Sequence, residues 1–267
     1  MMMTNYHTHT LRCKHAKNTD EEYVQAALKA GYGLLGFSDH SPWPYESGYV
    51  SGIRMDPGQL PEYMASIRAL REKYAGRIDI KVGLECEYFP AYLGWIEKQV
   101  EKHHINFLLL GNHSDLTDDG GFYFGDACEP AHIRTYTERT IAAMRTGLFS
   151  YLAHPDLVMR GYKAWDAACD DMAWALCETA LQMRMPLEYN LMGNEYKKMT
   201  GLPWSGIGYP DDHFWRIAAK AGCTAIIGLD SHRASHLLET EEYTDAVAYL
   251  DGLGMKRIET FTLLYDE

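Results

Sequence analysis

Seven short apolar runs alternate with amphipathic stretches along this sequence. The apolar runs have the length and composition of buried strands, and the stretches between them repeat apolar residues with helical spacing. Such alternation predicts a parallel sheet with helices outside it. Because no GxGxxG turn connects a predicted strand to the helix that follows it, the regular alternation favours a closed or nearly closed α/β barrel over a dinucleotide-binding sheet. The predicted strands are residues 3–6, 32–38, 78–85, 105–111, 148–153, 185–190 and 224–230, and the predicted helices are residues 19–30, 59–75, 90–103, 130–146, 166–183, 211–221 and 240–251.

The chain of 267 residues contains no repeat, low-complexity tract or linker that would divide it. Barrels of α/β type commonly reach this length as one unit, so we predict a single domain over residues 1–267. The sequence has no apolar run long enough to cross a bilayer, and its N-terminus lacks the pattern of a signal peptide. We therefore expect a cytoplasmic protein that has no membrane partner.

The six cysteines are spread widely and form no CxxC pair. Widely separated cysteines in an intracellular protein are usually reduced thiols that pack as small core residues, so we predict no disulfide. The positions are Cys13, Cys86, Cys128, Cys169, Cys177 and Cys223.

The formal net charge of -12 bears on the class of partner. Proteins that bind nucleic-acid backbones use clustered Lys and Arg, and no basic run occurs here. We therefore predict no nucleic-acid partner, and we attribute the acidity mainly to solvated helix faces.

Three segments between the predicted elements are unusually long, at residues 41–57, 114–130 and 191–210. Loops of this length in a compact domain are usually functional or mobile. In an α/β barrel the loops that follow the strands build the mouth of the active site. The alternative for each segment is an ornament of the surface.

Ligand-type side chains follow six of the seven predicted strands. An isolated HxH pair is often only a pair of surface or hydrogen-bonded histidines. Here, however, the carboxyl ends of parallel strands converge on one mouth, so these side chains are expected to meet. Imidazoles suit zinc, iron and manganese, and the set is too large for one cation, which predicts two or three divalent metal ions. The residues are His7, His9, His15, Asp39, His40, Glu85, His113, His154, Asp230 and His232.

Seven motifs in this order resemble those of the polymerase and histidinol phosphatase (PHP) family of metal-dependent phosphoesterases, particularly its histidinol-phosphatases. They are HTH, CKHA, SDH, GLE, GNHS, AHPD and DSH, which run from residue 7 to residue 232. The resemblance implies a distorted seven-stranded TIM-like (β/α)7 barrel that carries a trinuclear metal centre.

The resemblance also implies how the ligands are shared among zinc, manganese or iron ions, with Glu85 bridging the first two. One metal would be held by His7, His9, Glu85 and Asp230, a second by Glu85, His113 and His154, and a third by His15, His40 and His232. Besides Glu85 and Asp230, Asp39 is the third predicted catalytic residue. It would either orient a neighbouring ligand or protonate a leaving group.

The activity that the resemblance implies is hydrolysis of a small phosphate monoester by a hydroxide bridging two metals. The histidinol-phosphatases of the PHP family act on L-histidinol phosphate. The resemblance would therefore place this protein in histidine biosynthesis. Arg160 matches an arginine that contacts substrate phosphate in that family. After the sixth strand, however, those enzymes usually carry Asn-Thr-x-Gly-Leu-Arg-Lys, whereas this chain reads YNLMGNEYKK. Asn190 is retained, and Lys197 or Lys198 would have to replace the missing arginine.

Other functions are compatible with parts of the pattern. A related phosphoesterase would act on another small monoester or a nucleotide, and a non-catalytic module would bind metal for stability or partners. A nuclease or proofreading domain is disfavoured by the acidity. The metal site of an amidohydrolase barrel usually centres on a carboxylated lysine. Lys81, in the strand that ends at Glu85, does not occupy the position of such a lysine. The sequence does not determine the oligomeric state.

Overall fold

The computed structural model describes residues 2–200 and 204–266. Within it the chain forms two compact units, which we describe separately. The first comprises Met1–Leu109, Leu229–Glu241 and Glu259–Glu267, and the second comprises Leu110–Gly228 and Glu242–Ile258. Both units draw on more than one stretch of the chain, so single-domain organisation remains a prediction.

The first unit begins with three consecutive parallel strands, each followed by a helix. In register, β2 pairs with β3 from Leu34 opposite Asp79 to His40 opposite Glu85. This pairing sets a histidine beside a carboxylate at the carboxyl ends of neighbouring strands. The elements are β1 (Met3–Asn5), α1 (Asp20–Ala30), β2 (Tyr32–His40), α2 (Leu60–Lys73), β3 (Asp79–Cys86) and α3 (Leu93–His103).

The remaining elements continue the alternation of strands and helices. From β5 to β8, each strand pairs in parallel with the next strand along the chain. In chain order the elements are β4 (Phe107–Leu110), α4 (Pro130–Met144), β5 (Tyr151–Leu152), α5 (Ala167–Met183), β6 (Leu187–Asn190), α6 (Met192–Thr200), α7 (Asp212–Ala221), β7 (Thr224–Gly228), α8 (Thr240–Gly252) and β8 (Lys256–Arg257).

Local sequence explains why the helices begin and end where they do. The Thr19 hydroxyl accepts a hydrogen bond from the Glu22 amide, and the Glu22 carboxylate accepts one from the Thr19 amide, which forms a capping box at α1. Gly31 ends the same helix at φ 86°, a left-handed conformation that glycine adopts without steric cost. Strands β2 to β7 are buried along most of their length on both faces, as in other parallel sheets covered by helices.

Two expectations about the elements are wrong. The described chain contains eight strands rather than seven, because the short β8 was not recognised in the sequence. Its two residues, Lys256 and Arg257, are too polar and too few to give a strand pattern. The segment 191–210 is not loop throughout, since α6 occupies Met192–Thr200. Gly193 and Asn194 lie within this helix.

Two further findings concern the membrane and the thiols. None of the helices in the described ranges has both the length and the apolar character needed to span a bilayer. All six cysteines are free thiols, and every one except Cys128 is buried.

A hydrogen-bonded cap at the start of α5 allows a test of local stability. Asp166 Oδ1 accepts hydrogen bonds from the amides of Ala168 and Cys169 at 2.9 and 3.2 Å, and Oδ2 accepts one from the Tyr162 hydroxyl at 2.6 Å. We expect Asp166→Ala to lower the free energy of unfolding by about 0.5–2 kcal/mol, the usual cost of losing such a cap. Asp166→Asn is the control, because an asparagine caps a helix about as well. Urea unfolding at pH 7 measures both changes, and equal stability of Asp166→Ala and wild type would contradict the prediction.

The pH dependence of this cap follows from its pKa. The hydrogen bond from Tyr162 and those from the helix amides lower the pKa of Asp166 below its ordinary value. A carboxyl group whose pKa is lower in the folded state stabilises the fold above its unfolded pKa, and this contribution is lost as the pH falls through the folded pKa. The stability advantage of wild type over Asp166→Ala should therefore shrink on acidification.

Candidate metal centre

The segment that follows β1 is held in place by the segment that follows β7. Thr8 forms a parallel bridge with Ser231, in which the His9 amide donates to Ser231 O at 2.9 Å and the Ser231 amide donates to His7 O at 3.0 Å. Residues at alternate positions of an extended segment point the same way. The bridge therefore places the rings of His7 and His9 beside Asp230.

Strand pairing brings a second carboxylate to the same place. The Ser41 amide donates to Glu85 O at 2.8 Å, which continues the β2 and β3 register past the end of β2. As a result, His40 Nδ1 lies 3.0 Å from Glu85 Oε2. The same carboxylate oxygen is 3.4 Å from His7 Nε2 and 3.5 Å from His9 Nε2.

The predicted ligands of the first unit converge into one group, buried except for the exposed His15 and the half-buried His232, which we call the histidine–carboxylate cluster. Asp230 Oδ1 is 3.5 Å from His7 Nε2 and 3.1 Å from His9 Nε2. The potential ligand atoms of His7, His9 and Asp230 all lie within 4.8 Å of one another. The cluster consists of His7, His9, His15, His40, Glu85, Asp230 and His232.

Four of the imidazoles form a second focus within the cluster. The ring of His9 stacks on that of His232 with centroids 4.1 Å apart and lies 4.3 Å from that of His40. The His15 and His232 rings are 4.6 Å apart. Potential ligand atoms of His9, His40 and His232 also lie within 4.8 Å of one another. The cluster therefore offers two groups of converging ligand atoms.

Two of these rings are oriented by the main chain. His15 Nδ1 lies 2.7 Å from Cys13 O, and His232 Nδ1 lies 3.0 Å from Asp230 O. A carbonyl beside Nδ1 favours the tautomer that carries the proton there, which leaves the lone pair of Nε2 for a metal. His15 and His232 thus have the orientation that metal-binding histidines usually show.

The donor set fits divalent cations. Although His9 is fully buried, neither of its ring nitrogens makes a hydrogen bond of acceptable geometry to any described residue, and the same holds for His232 Nε2. Burying such groups without compensation is costly. A cation at the point where they converge would satisfy them, and imidazole and carboxylate ligands together suit zinc, manganese and iron.

The electrostatics of the cluster favour positive charge at its centre. Burial lowers the pKa of His9, but Asp230, Asp39 and Glu85 outweigh it and raise that pKa to about 9. Burial also raises the pKa of Asp230, whereas His7, His9 and His232 lower it well below its ordinary value. The Asp230 carboxylate therefore stays ionised and favours a cation among the imidazoles.

Asp39 lies inside β2 and is fully buried. Its Oδ1 is 3.7 Å from His9 Nδ1, and its Oδ2 accepts a hydrogen bond from the Thr10 hydroxyl. These contacts support the first of the two roles predicted for Asp39, which is to orient His9 from behind.

The second unit brings together the other two predicted ligands. The rings of His113, after β4, and His154, after β5, have centroids 5.0 Å apart. His154 is buried and adopts φ 30°, a left-handed conformation that is uncommon outside glycine. Its amide donates to Glu188 Oε2 at 3.1 Å.

Arg160, the predicted phosphate ligand, lies at the end of a 3-10 turn, and its side chain is 28% exposed. Its Nη1 donates to Asp126 Oδ1 at 2.6 Å and to Gly125 O at 3.1 Å. The guanidinium carbon lies 5.2 Å from the ring centroid of Tyr123 and 5.1 Å from that of Trp204. Arg160 is therefore held by a carboxylate and by two aromatic rings.

The other predicted substrate contacts are less well defined. Asn190 Nδ2 donates to Glu188 Oε2 at 2.8 Å, and Asn190 Oδ1 accepts from the Met192 amide at 2.9 Å, so both ends of this amide have partners within the fold. The side chains of Lys197 and Lys198 lie outside the part of the chain that the structure describes.

Sequence reasoning missed two residues close to the predicted ligands. Cys13 Sγ lies within 4.8 Å of potential ligand atoms of His15 and His232, and its place in the CKHA motif was the available signal. Glu188 was read only as part of a strand. A carboxylate within the apolar run MPLEYN was the signal for it, because an acidic side chain is seldom buried without partners.

Comparison with known proteins agrees with the motifs. A histidinol-phosphatase of Bacillus subtilis is 30% identical over 260 residues, which cover 88% of this chain and 95% of that protein. A Deinococcus radiodurans protein named "Probable histidinol-phosphatase" is 29% identical over 266 residues, with 94% of each chain covered.

A solved structure shares the fold. It is the histidinol phosphate phosphatase of Lactococcus lactis in complex with zinc, L-histidinol and phosphate, with a TM-score of 0.71, 17% identity and 99% of both chains covered. This likeness confirms the predicted fold class, an α/β fold of the TIM-like type, although the strand count differs. The sequence model of the PHP domain matches residues 5–191. Since this match covers more than half of the sequence, the chain belongs to the PHP domain family.

Proposed function

We propose that this protein is a metal-dependent phosphatase that hydrolyses L-histidinol phosphate to L-histidinol and phosphate. The observation that carries the proposal is the histidine–carboxylate cluster, in which ligand atoms of the buried residues His7, His9 and Asp230 lie within 4.8 Å of one another. Membership of the PHP domain family and a relative named histidinol-phosphatase at 30% identity support the choice of substrate. On this proposal the protein acts in histidine biosynthesis in the cytoplasm.

The cluster of the first unit would hold divalent ions, and His113 and His154 of the second unit are further candidates for ligating a divalent ion. Zinc is the first choice, because the Lactococcus lactis phosphatase of the same fold was solved with zinc. Manganese and iron accept the same ligands, and their availability in the cell decides which is bound. The total of two or three ions, as a trinuclear centre, remains a prediction from the sequence.

Divalent cations held by residues such as His7, His9 and Asp230 would supply a water-derived nucleophile near neutral pH and positive charge beside the phosphate oxygens. The protein supplies the geometry for this reaction. Glu85 and Asp230 provide fixed negative charge, and Asp39 holds His9 in orientation from its Nδ1 side. No side-chain nucleophile is required, since water attacks the phosphorus directly in an in-line displacement.

Arg160 is the proposed phosphate contact of the protein itself. The rings of Tyr123 and Trp204 and the carboxylate of Asp126 restrict its guanidinium, so little further ordering would be needed when an anion binds. Asn190 and either Lys197 or Lys198 remain candidates for the rest of substrate recognition.

The first test is a panel of phosphate monoesters assayed on metal-loaded protein, with histidinol phosphate, simple sugar phosphates and nucleoside monophosphates included. We expect kcat/KM for histidinol phosphate to exceed that for every other member by about tenfold or more, a difference of about 1.4 kcal/mol in transition-state binding. Phosphate release measures it. A higher kcat/KM for a sugar phosphate or a nucleotide would reassign the substrate within the same chemistry.

The second test removes one negative charge from the cluster. We expect Glu85→Gln to lower the bound metal and kcat together. Loss of a residue that only supports a metal ligand already costs about 10- to 100-fold, and the loss of Glu85 should cost at least as much. The exposed Glu62, which pairs with Arg12, provides the control variant Glu62→Gln. Elemental analysis and initial rates measure the effect. Full metal content and wild-type turnover in Glu85→Gln would refute the role of this carboxylate.

The third test concerns phosphate binding. We expect Arg160→Met to keep its metal and to lose about tenfold to hundredfold in kcat/KM, since a hydrogen bond to a charged group contributes about 1.5–3 kcal/mol. Arg216→Met is the matched control, because Arg216 is exposed and pairs with Asp212 on α7. Unchanged kcat/KM in Arg160→Met would leave phosphate recognition to the metals.

A further inference from the structure

A fully buried carboxylate lies beneath one of the proposed metal ligands. Glu188, on β6, is 0% exposed. Its Oε2 accepts hydrogen bonds from the His154 amide at 3.1 Å and from Asn190 Nδ2 at 2.8 Å, and its Oε1 accepts one from the Tyr151 hydroxyl at 3.2 Å. All three donors lie in the second unit, so Glu188 ties the ends of β5 and β6 together.

The main chain at His154 needs such support. With φ 30° the residue lies in the left-handed region, which non-glycine residues occupy only when the surroundings hold them there. On the carbonyl side, His154 O accepts from the Leu157 amide at 3.0 Å, and the Tyr136 hydroxyl donates to Pro155 O at 3.0 Å. On the amide side, the His154 N–H donates to Glu188 Oε2.

The fold also leaves room for this carboxylate. A Cβ atom placed on Gly228, in the neighbouring strand β7, would lie 1.8 Å from Glu188 Oε1. No side chain larger than glycine fits there while Glu188 keeps its position. Strand β6 thus provides the carboxylate, and the neighbouring strand β7 leaves the space that this carboxylate fills.

We propose that Glu188 is a positioning residue, which fixes the main chain of His154 and thereby the direction from which the imidazole reaches a divalent cation. The inference rests on the proposed function in one respect, namely that His154 ligates a metal. Glu188 acts through geometry. Its oxygens are occupied by an amide N–H, a carboxamide and a hydroxyl, so its task is to accept hydrogen bonds at fixed points.

Two substitutions separate the effect of the negative charge of Glu188 from the effect of its side-chain length. Glu188→Gln keeps the length of the side chain, so its oxygen can accept from His154 and Asn190 while its NH₂ donates to the Tyr151 hydroxyl oxygen. Glu188→Asp keeps the charge but withdraws the carboxylate by one methylene. A geometric role predicts that glutamine substitutes well and aspartate poorly, whereas a role in charge or direct metal ligation predicts the reverse order.

The experiment measures zinc and manganese affinity of the full chain by competition with a chelating dye. We expect Glu188→Asp to bind metal about 10- to 100-fold more weakly, as is usual when a partner behind a metal ligand is lost. Glu188→Gln should stay within about threefold of wild type. Tyr151→Phe is the matched control, because it removes a contact to the same carboxylate and leaves the bond to His154 intact, and it should also stay within about threefold.

A second readout observes the hydrogen bond itself. In protein labelled with ¹⁵N-histidine, the amide resonance of His154 is assigned by its absence in His154→Ala. This resonance should shift in Glu188→Asp and stay near its wild-type position in Glu188→Gln and Tyr151→Phe. A merely structural role would lower the thermal midpoints of the variants without producing this pattern.

The results distinguish the inference from the function on which it rests. If His154→Ala loses metal and Glu188→Asp keeps it, the positioning role is wrong and the proposed function stands. If His154→Ala keeps all its metal, both the ligand role of His154 and the inference are wrong. A failure to hydrolyse histidinol phosphate would be seen in the substrate panel, separately from metal affinity. Should Glu188→Asp not fold, Gly228→Ala displaces the unchanged Glu188 and must produce the same loss of affinity.

Discussion

The burial of imidazoles and carboxylates around shared points is the constraint on which the rest of this structure depends. His7, His9, Glu85 and Asp230 are all buried, and their polar atoms face one another at 3.1 to 3.5 Å. Desolvating such groups costs several kcal/mol for each ion unless a counter-charge is present. Divalent cations would provide that charge, so the proposed chemistry of the site and the stability of its surroundings would have the same origin.

Main-chain hydrogen bonds, more than side-chain packing, bring these groups together. The pairing of Thr8 with Ser231 joins two segments separated by more than two hundred residues, and the β2 and β3 register sets His40 opposite Glu85. Strand pairing fixes the direction of each side chain, because a shift of one residue turns every side chain to the other face. A parallel sheet is thus well suited to a site whose ligands come from distant parts of the chain.

Strained backbone accompanies the proposed ligands. Asp230 has φ 52° and His154 has φ 30°, although neither residue is a glycine. Left-handed conformations of this kind cost about 1–3 kcal/mol each and persist where the surroundings impose them. In both cases the residue immediately follows an apolar segment that ends a strand, where a sharp turn of the chain aims the side chain inward. At His154, the main-chain amide donates a hydrogen bond to Glu188, which is one of the contacts that surround this conformation.

The sequence by itself determined the class of fold and the composition of the site. Helical and strand periodicity located all but one of the described strands, and ligand-type residues after strands identified the members of the histidine–carboxylate cluster, because both signals are local and repeat along the chain. Only the tertiary structure decided the rest. The strand formed by Lys256 and Arg257 has no local pattern and exists because β7 offers it an edge. The hydrogen-bond partners of Glu188 and the position of Asp39 beside His9 also depend on contacts between segments apart in sequence, which no local pattern records.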